Sequence, residues 1–173
     1  MSKYAIAAVD ANYAIGYHGD LLFKIPRDME FFKNITTGYA LVMGRKTFDS
    51  LGQKPLKNRH HIVITHEPEK YDNFHISKAV VEFRTLEYVK EELNDIEEKY
   101  QNIFFIGGES IYKEFLGVCD AVFLTIYEKE FIPVDAYFPK EVFEKNFRLE
   151  KVIEEYKYKG YPWHITKWVT VNA

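Results

Sequence analysis

The stretch GDLLFKIPRDMEFFK, Gly19 to Lys33, sets an acid on what should be the apolar side of a helix. Pro26 suits a first helical position, where its missing N–H costs nothing. From there Asp28, Phe31, Phe32 and Ile35 fall at i, i+3, i+4 and i+7, one face of a helix. Burying a carboxylate beside two aromatic rings costs several kcal/mol unless something meets it. An acid in a first helical turn commonly does no more than complement the helix dipole. The alternative is a site where a cationic or donor-rich ligand approaches Asp28. The rest of the chain decides between the two.

At 173 residues the chain suits one domain, 1–173, with a substantial core. Its 47% hydrophobic and 17% aromatic content argues against disorder. A net charge of −3 argues against a general nucleic-acid or membrane-surface binder, so anionic ligands must be met by local Arg and Lys. The one cysteine, Cys119, excludes an intramolecular disulfide and a Cys-based zinc cluster, and no metal site is expected. Within FLGVCDAVFLT it reads as a small buried thiol. Met1 to Tyr4 runs straight into a strand-like segment without a signal peptide, and no apolar run approaches a bilayer span. A cytoplasmic protein is expected.

Apolar strands are expected at Tyr4–Val9, Tyr39–Met43, His61–Thr65, Ala79–Phe83, Ile103–Ile106 and Asp120–Tyr127. Leu86, Val89, Leu93, Ile96 and Tyr100 recur at helical spacing and predict one amphipathic helix. Short helices are predicted over Lys46–Leu51 and Ser110–Leu116, and a surface loop over His66–Ser77. Leu149–Tyr158 and Trp163–Val171 read as an antiparallel pair about Gly160-Tyr161-Pro162. The pattern gives an α/β fold, a mixed but mainly parallel sheet flanked by helices, closed by an antiparallel C-terminal hairpin. Ligands in such sheets collect at the carboxyl ends of the strands.

Two strand-to-helix junctions suit phosphate. In VMGRKTFDSL, Gly44 permits a tight turn, and Arg45, Lys46 and Thr47 add charge and a hydroxyl to the free amides of a helix start. It is not a P-loop, because Gly38 and Gly44 have five residues between them and Arg45 intrudes. In FFIGGESIY, Gly107 and Gly108 allow close backbone approach, while G-x-G-x-x-G is absent. Read singly, the Gly44 junction is only moderately specific, the Gly-Gly junction reads as plain packing, Arg59 as a surface charge, and His60, His61 and His66 as solvated loop histidines.

In order and spacing, GDLLFKIPRDMEFFK, MGRKTF, PLKNR, IGGESIY and DAYFP resemble the dihydrofolate reductase family, bacterial monomeric type, over nearly the whole chain. The resemblance implies NADPH-dependent reduction of 7,8-dihydrofolate to tetrahydrofolate by a monomer, with antifolate-like small molecules as further ligands. It assigns Asp28 to the pterin's amino and ring N–H groups, as the catalytic residue but too far along the ring to deliver the proton itself, with Thr125 steadying it. Phe32 packs on the substrate rings, and Ile6, Ala8, Leu51, Leu56 and Ile106 form the walls. Arg59 holds the glutamate tail's carboxylate. Arg45, Lys46, Thr47, Thr65 and His66 take the pyrophosphate and 2′-phosphate. Ile15, Gly107, Gly108 and Tyr112 frame the nicotinamide, and Ala8, Gly44, Glu109 and Ser110 complete the cofactor set. The family's Gly-Gly peptide is cis, and the same is expected of Gly107–Gly108. A lid over Asn12–Lys24, pivoting on Gly16 and Gly19, includes Leu21 and Phe23.

Departures from the family pattern are Leu22-Phe23 where Pro-Trp is common, Ile132-Pro133-Val134 in place of a shorter segment, and Ala136 after Asp135. Phe23 cannot donate a hydrogen bond as an indole would. Two rivals stand beside the reductase. One is a pterin or pyrimidine reductase of the same fold, whose members generally lack the acid. The other is a noncatalytic nucleotide-binding module, which should show a damaged acid or a broken glycine pair.

Overall fold

The computed structural model describes residues 1–77 and 80–173. In chain order come β1 (Ser2–Val9), β2 (Ala14–Tyr17), β3 (Asp20–Leu21), α1 (Pro26–Thr36), β4 (Ala40–Gly44), α2 (Arg45–Ser50), β5 (His60–Ile64) and β6 (Val81–Arg84). There follow α3 (Leu86–Glu91), α4 (Leu93–Tyr100), β7 (Asn102–Gly107), α5 (Glu109–Phe115), β8 (Ala121–Tyr127), β9 (Ala136–Tyr137), α6 (Lys140–Asn146), β10 (Phe147–Tyr158) and β11 (Tyr161–Thr170).

The main sheet runs β10-β11-β8-β1-β7-β4-β5-β6. From β8 to β6 all neighbours are parallel, whereas β11 runs antiparallel to both β8 and β10. Strands buried on both faces read as unbroken apolar runs, which is why ALVM and IFFI announce the central positions. Their successive side chains feed opposite layers. Val42, Ile103 and Phe105 join Val89, Ile96, Phe115 and Phe143 on one face. Leu41, Met43 and Phe104 join Phe48 and the half-buried Phe31 and Phe32 of α1 on the other. The hairpin closes through Lys159 and Gly160, both at positive φ (49° and 87°).

Four expectations need correction. The helix expected from Leu86 to Tyr100 is two helices, because Glu92 leaves helical geometry at φ −95°, ψ 8°. Val89, Leu93 and Ile96 still reach the same core, so the apolar stripe continues across a break that periodicity cannot register. His66–Ser77 is more than a polar loop: Pro68–Tyr71 forms a 3-10 turn, and the Tyr71 ring stacks on Phe83 at 4.0 Å. The strand expected at Ala79–Phe83 is Val81–Arg84, and Ala79 lies outside the described residues. His60 and His61 are buried, against the solvated reading of both.

Four elements had no sequence signal of their own. β3-β2-β9 forms a small antiparallel sheet, too short for alternation to be read. α6 buries one residue, Phe143, which leaves no repeat to detect.

Candidate functional site

The carboxyl ends of β4, β5 and β7 open onto a cavity of about 1480 Å³. Gly44, Arg45, Lys46, Thr47, Thr65 and His66 line one part of it. Ala8, Ile15, Ile106, Gly108, Glu109, Ser110 and Tyr112 line another, and Gly16, Gly19 and Leu21 close over it. One element thus brings cations to the mouth while another brings bare backbone to the floor.

The floor depends on a glycine. Gly107 has φ +111°, and a Cβ there would sit 3.1 Å from the Tyr112 ring. The Gly107–Gly108 peptide is cis. Tyr112 cannot withdraw, because its hydroxyl donates to the Ile6 carbonyl at 2.7 Å and its ring is buried. Burial raises the phenol's pKa, so it stays a neutral donor and pins α5 to β1.

The basic junction is partly neutralised. Arg45 Nη1 lies 2.8 Å from Asp49 Oδ2, one turn along α2, and Asp49 also lines the cavity. Lys46 makes no ion pair among the described residues. Thr85, Leu86 and Glu87 extend the wall beyond the residues expected from sequence. Thr85 is the N-cap of α3 and Leu86 and Glu87 begin its first turn, a helix start with no glycine or basic cluster to mark it.

Asp28, Thr125, Phe32, Leu51, Leu56, Arg59 and Ile6 lie beside this cavity rather than in its lining. Ala8 is the join: it pairs with Thr125 across β1 and β8, and it faces the cavity. Thr125 Oγ1 donates to Asp28 Oδ1 at 2.5 Å. Among the described residues no basic side chain pairs with Asp28, and no second hydrogen bond reaches its carboxylate. Burial is the larger influence on it and the Thr125 hydroxyl opposes, leaving its pKa raised to about 6. The acid is neither out in open water nor locked to a neighbouring cation. It awaits a donor.

Around it, Phe32, Leu51, Leu56 and Ile106 pack against Ile6. Arg59 is 9% exposed; its Nε donates to the Lys57 carbonyl at 2.9 Å and its Nη1 to Thr36 Oγ1 at 3.2 Å. No carboxylate pairs with Arg59 among the described residues, and its guanidinium carbon lies 6.0 Å from the Phe32 ring centre. A half-satisfied buried cation at the edge of an aromatic wall suits an anionic group on a flat ligand.

The stretch from Asp10 to His18 is fastened by backbone bonds to two acids. Asp10, buried at the end of β1, accepts from Asn12 N (2.8 Å), Ala14 N (2.9 Å) and Phe131 N (3.1 Å). Asp135 accepts from His18 N at 3.0 Å, while its own amide donates to the Gly16 carbonyl at 3.0 Å. Gly16 has no room for a side chain, since a Cβ would stand 2.8 Å from the Asp20 carbonyl. Glu109 Oε1 accepts from Tyr137 N at 2.7 Å, tying β9 to α5. The one sequence signal for Asp10 is an acid ending an apolar strand. The Phe23 ring is stacked on Phe131 (5.7 Å) and edge-on to Tyr127 (5.1 Å). The Ile132–Pro133 bond in the departing segment is also cis.

Cys119 is a buried thiol donating to the Phe115 carbonyl at 3.3 Å, and burial pushes its pKa up, so it is not poised as a nucleophile. Among the described residues no group of three or more His, Cys, Asp or Glu is placed to hold a metal. No helix there is long and apolar enough to cross a membrane.

Removing the Thr125 hydroxyl tests the electrostatics. In Thr125→Val the carboxylate loses its one hydrogen bond, so its pKa should climb above the present value. The acid limb of kcat/KM should therefore move to higher pH, and kcat/KM at pH 7 should fall about 10-fold. A pH profile superimposable on the parent's would show that the hydroxyl does nothing for Asp28.

A cation-rimmed cleft with bare glycine backbone, joined to a donor-seeking acid, defines a two-ligand enzyme site of the nucleotide-binding α/β class. The comparisons narrow this. The model of the dihydrofolate reductase family matches residues 4–169. Dihydrofolate reductase of Bacillus subtilis (strain 168) is 36% identical over 146 residues, 83% of this chain and 79% of the relative. That of Staphylococcus aureus (strain Mu50) is 32% identical over 147 residues, covering 83% of this chain and 82% of the relative. A solved dihydrofolate reductase from Enterococcus faecalis, complexed with NADP(H) and RAB-propyl, superposes with TM-score 0.81 at 28% identity, covering 98% and 96% of the two chains. The chain belongs to the dihydrofolate reductase family.

Proposed function

We infer that this chain reduces 7,8-dihydrofolate to 5,6,7,8-tetrahydrofolate with NADPH, serving one-carbon transfer, and that Asp28 is its catalytic residue. The observation that carries the assignment is the half-buried carboxylate whose one partner is a neutral hydroxyl. A pterin offers an amino group and a ring N–H side by side, and a carboxylate accepts both in one plane.

NADPH fits the cavity on this structure's own terms. Its lining supplies Arg45, Lys46, Thr47, Thr65 and His66 for phosphate oxygens. At Gly108 only Thr47 Oγ1, 3.8 Å away, would meet a Cβ, so the backbone there is open to a ligand. The two cations at that end, Arg45 and Lys46, favour the cofactor that carries a 2′-phosphate. Bound there, NADPH supplies the hydride for the pterin's imine carbon.

The protein's own part is positioning and polarity. Phe32, Leu51 and Leu56 hold the flat rings, Arg59 takes the tail carboxylate, and the closed lid keeps bulk water out. Asp28 binds the pterin at its amino and ring N–H edge, and its charge raises the proton affinity of the reacting nitrogen. The same acid suits the cationic ring of diaminopyrimidine antifolates. Residues 1–173 act as one domain, and the enzyme works as a cytoplasmic monomer.

Mixing the protein with NADPH and dihydrofolate should bleach the nicotinamide absorbance, while either alone leaves it unchanged. In a single turnover the hydride step should slow as pH rises, since the accepting imine must be protonated. No consumption of NADPH would leave a noncatalytic module, and a pH-independent step would remove Asp28's electrostatic role.

A further inference from the structure

Between α2 and β5, residues 51–59 form neither helix nor strand, yet they carry Leu56 and Arg59 to the substrate side. Three of these nine residues have positive φ: Gly52 at 72°, Gln53 at 55° and Asn58 at 58°. The segment is tied at its start by Gly52 N to the Asp49 carbonyl (2.9 Å) and Gln53 N to the Phe48 carbonyl (3.2 Å). At its end the Asn58 carbonyl accepts from Gly38 N at 2.7 Å. Its middle is held from beneath by one side chain. His61 Nε2 accepts from Leu56 N at 2.9 Å.

The imidazole is 0% exposed, and both of its ring nitrogens are engaged. A backbone amide only donates, so Nε2 must be bare; a carbonyl only accepts, so Nδ1 must carry the proton it shares with the Val80 oxygen at 3.1 Å. The two partners therefore fix one neutral tautomer. Burial lowers the pKa of His61; its bond to the Val80 carbonyl opposes this, and the neighbouring Arg59 guanidinium adds to the lowering. A protonated ring would turn a donor at Leu56 N toward a second donor.

We propose that His61 is a positioning residue for the substrate's tail: it braces the Leu56–Arg59 segment so that the Leu56 wall and the Arg59 guanidinium stand in register with an anionic group. This rests on the reading that Arg59 receives the tail carboxylate. Arg59 has its own props in Lys57 O and Thr36 Oγ1, both of which depend on where the segment runs. His61 therefore acts through Leu56 N and touches no substrate.

The test compares dihydrofolate with 6-methyl-7,8-dihydropterin, which has the ring and no tail. His61→Phe should raise KM for dihydrofolate about 10-fold, with kcat within two-fold, and raise KM for the tail-less substrate by no more than about two-fold, the small loss coming through the Leu56 wall. His61→Gln, whose side-chain end keeps an acceptor at similar reach, should recover most of the loss. Arg59→Ala should show the same tail-specific loss. If Arg59→Ala loses nothing specific to the tail, the tail reading itself fails. If Arg59→Ala does and His61→Phe does not, or if His61→Phe weakens both substrates equally, the brace is overturned. A Gln variant as impaired as Phe also overturns it. Nitrogen-15 spectra of the unmodified protein give an answer that needs no variant: Nδ1 should carry the proton and Nε2 should be bare. The reverse tautomer sinks the proposal.

Discussion

Asp28→Asn is expected to lose about 10²- to 10⁴-fold in kcat/KM for dihydrofolate at pH 7, the range of a removed acid–base group, while binding NADPH as before. The loss should shrink as pH falls, because solvent then supplies the proton that the missing charge no longer attracts. The same variant should be more stable than its parent when no ligand is bound. Burial raises the Asp28 pKa from 3.8 to about 6, so the folded protein holds that proton more tightly than the unfolded chain does. Its contribution is fully present below about pH 4 and is lost as pH rises through 6, amounting to about 3 kcal/mol. Asparagine has no such charge to bury. Tm of Asp28→Asn should exceed the parent's by about 5–10 °C at pH 8 and converge with it near pH 4. Thermal unfolding across that range checks it, and a gap independent of pH would falsify the burial argument. Activity and stability then oppose each other at one atom, as expected where a site keeps a charge for its ligand.

Arg45→Ala should weaken NADPH binding about 10- to 100-fold, the worth of one or two charge-assisted hydrogen bonds, and leave NADH nearly untouched. Arg45 is half exposed and its ion pair with Asp49 lies along the surface of α2. Such pairs contribute about 1 kcal/mol or less to stability, so Tm should move little and the deficit should appear in cofactor affinity. Fluorescence titration with the two cofactors separates them. Equal losses would mean that Arg45 reads the shared pyrophosphate and that discrimination belongs to Lys46, Thr65 or His66.

Much of this site was legible in the chain because it rests on short-range chemistry. Pro26 at a helix start, with Asp28, Phe31, Phe32 and Ile35 on one face, fixes α1 and the side its acid takes. Gly44 before Arg45-Lys46-Thr47 and Gly107-Gly108 before α5 mark the strand ends where ligands gather. Other parts left no local trace. The strands β2 and β9 are four and two residues long, below the length at which alternation can be read. The break at Glu92 hides because the apolar stripe runs through it. His60 and His61, in a polar run after PLKNR, look like surface residues until β5 is seen between its neighbours.

The order of apolar runs, the glycine junctions and the placing of an acid against aromatic rings were settled by the sequence alone, since each depends on residues within a turn or a strand of one another. No local pattern points from Asp28 to Thr125, 97 positions away; the resemblance names that residue, and tertiary structure brings its hydroxyl onto the carboxylate. Tertiary structure alone decided that Asp135 would fasten the β2–β3 turn and that His61 would meet Leu56 N in one tautomer. The reason is that a hydrogen bond is set by the last ångström of approach, and that approach comes from the packing of a sheet whose strand order the chain does not spell out.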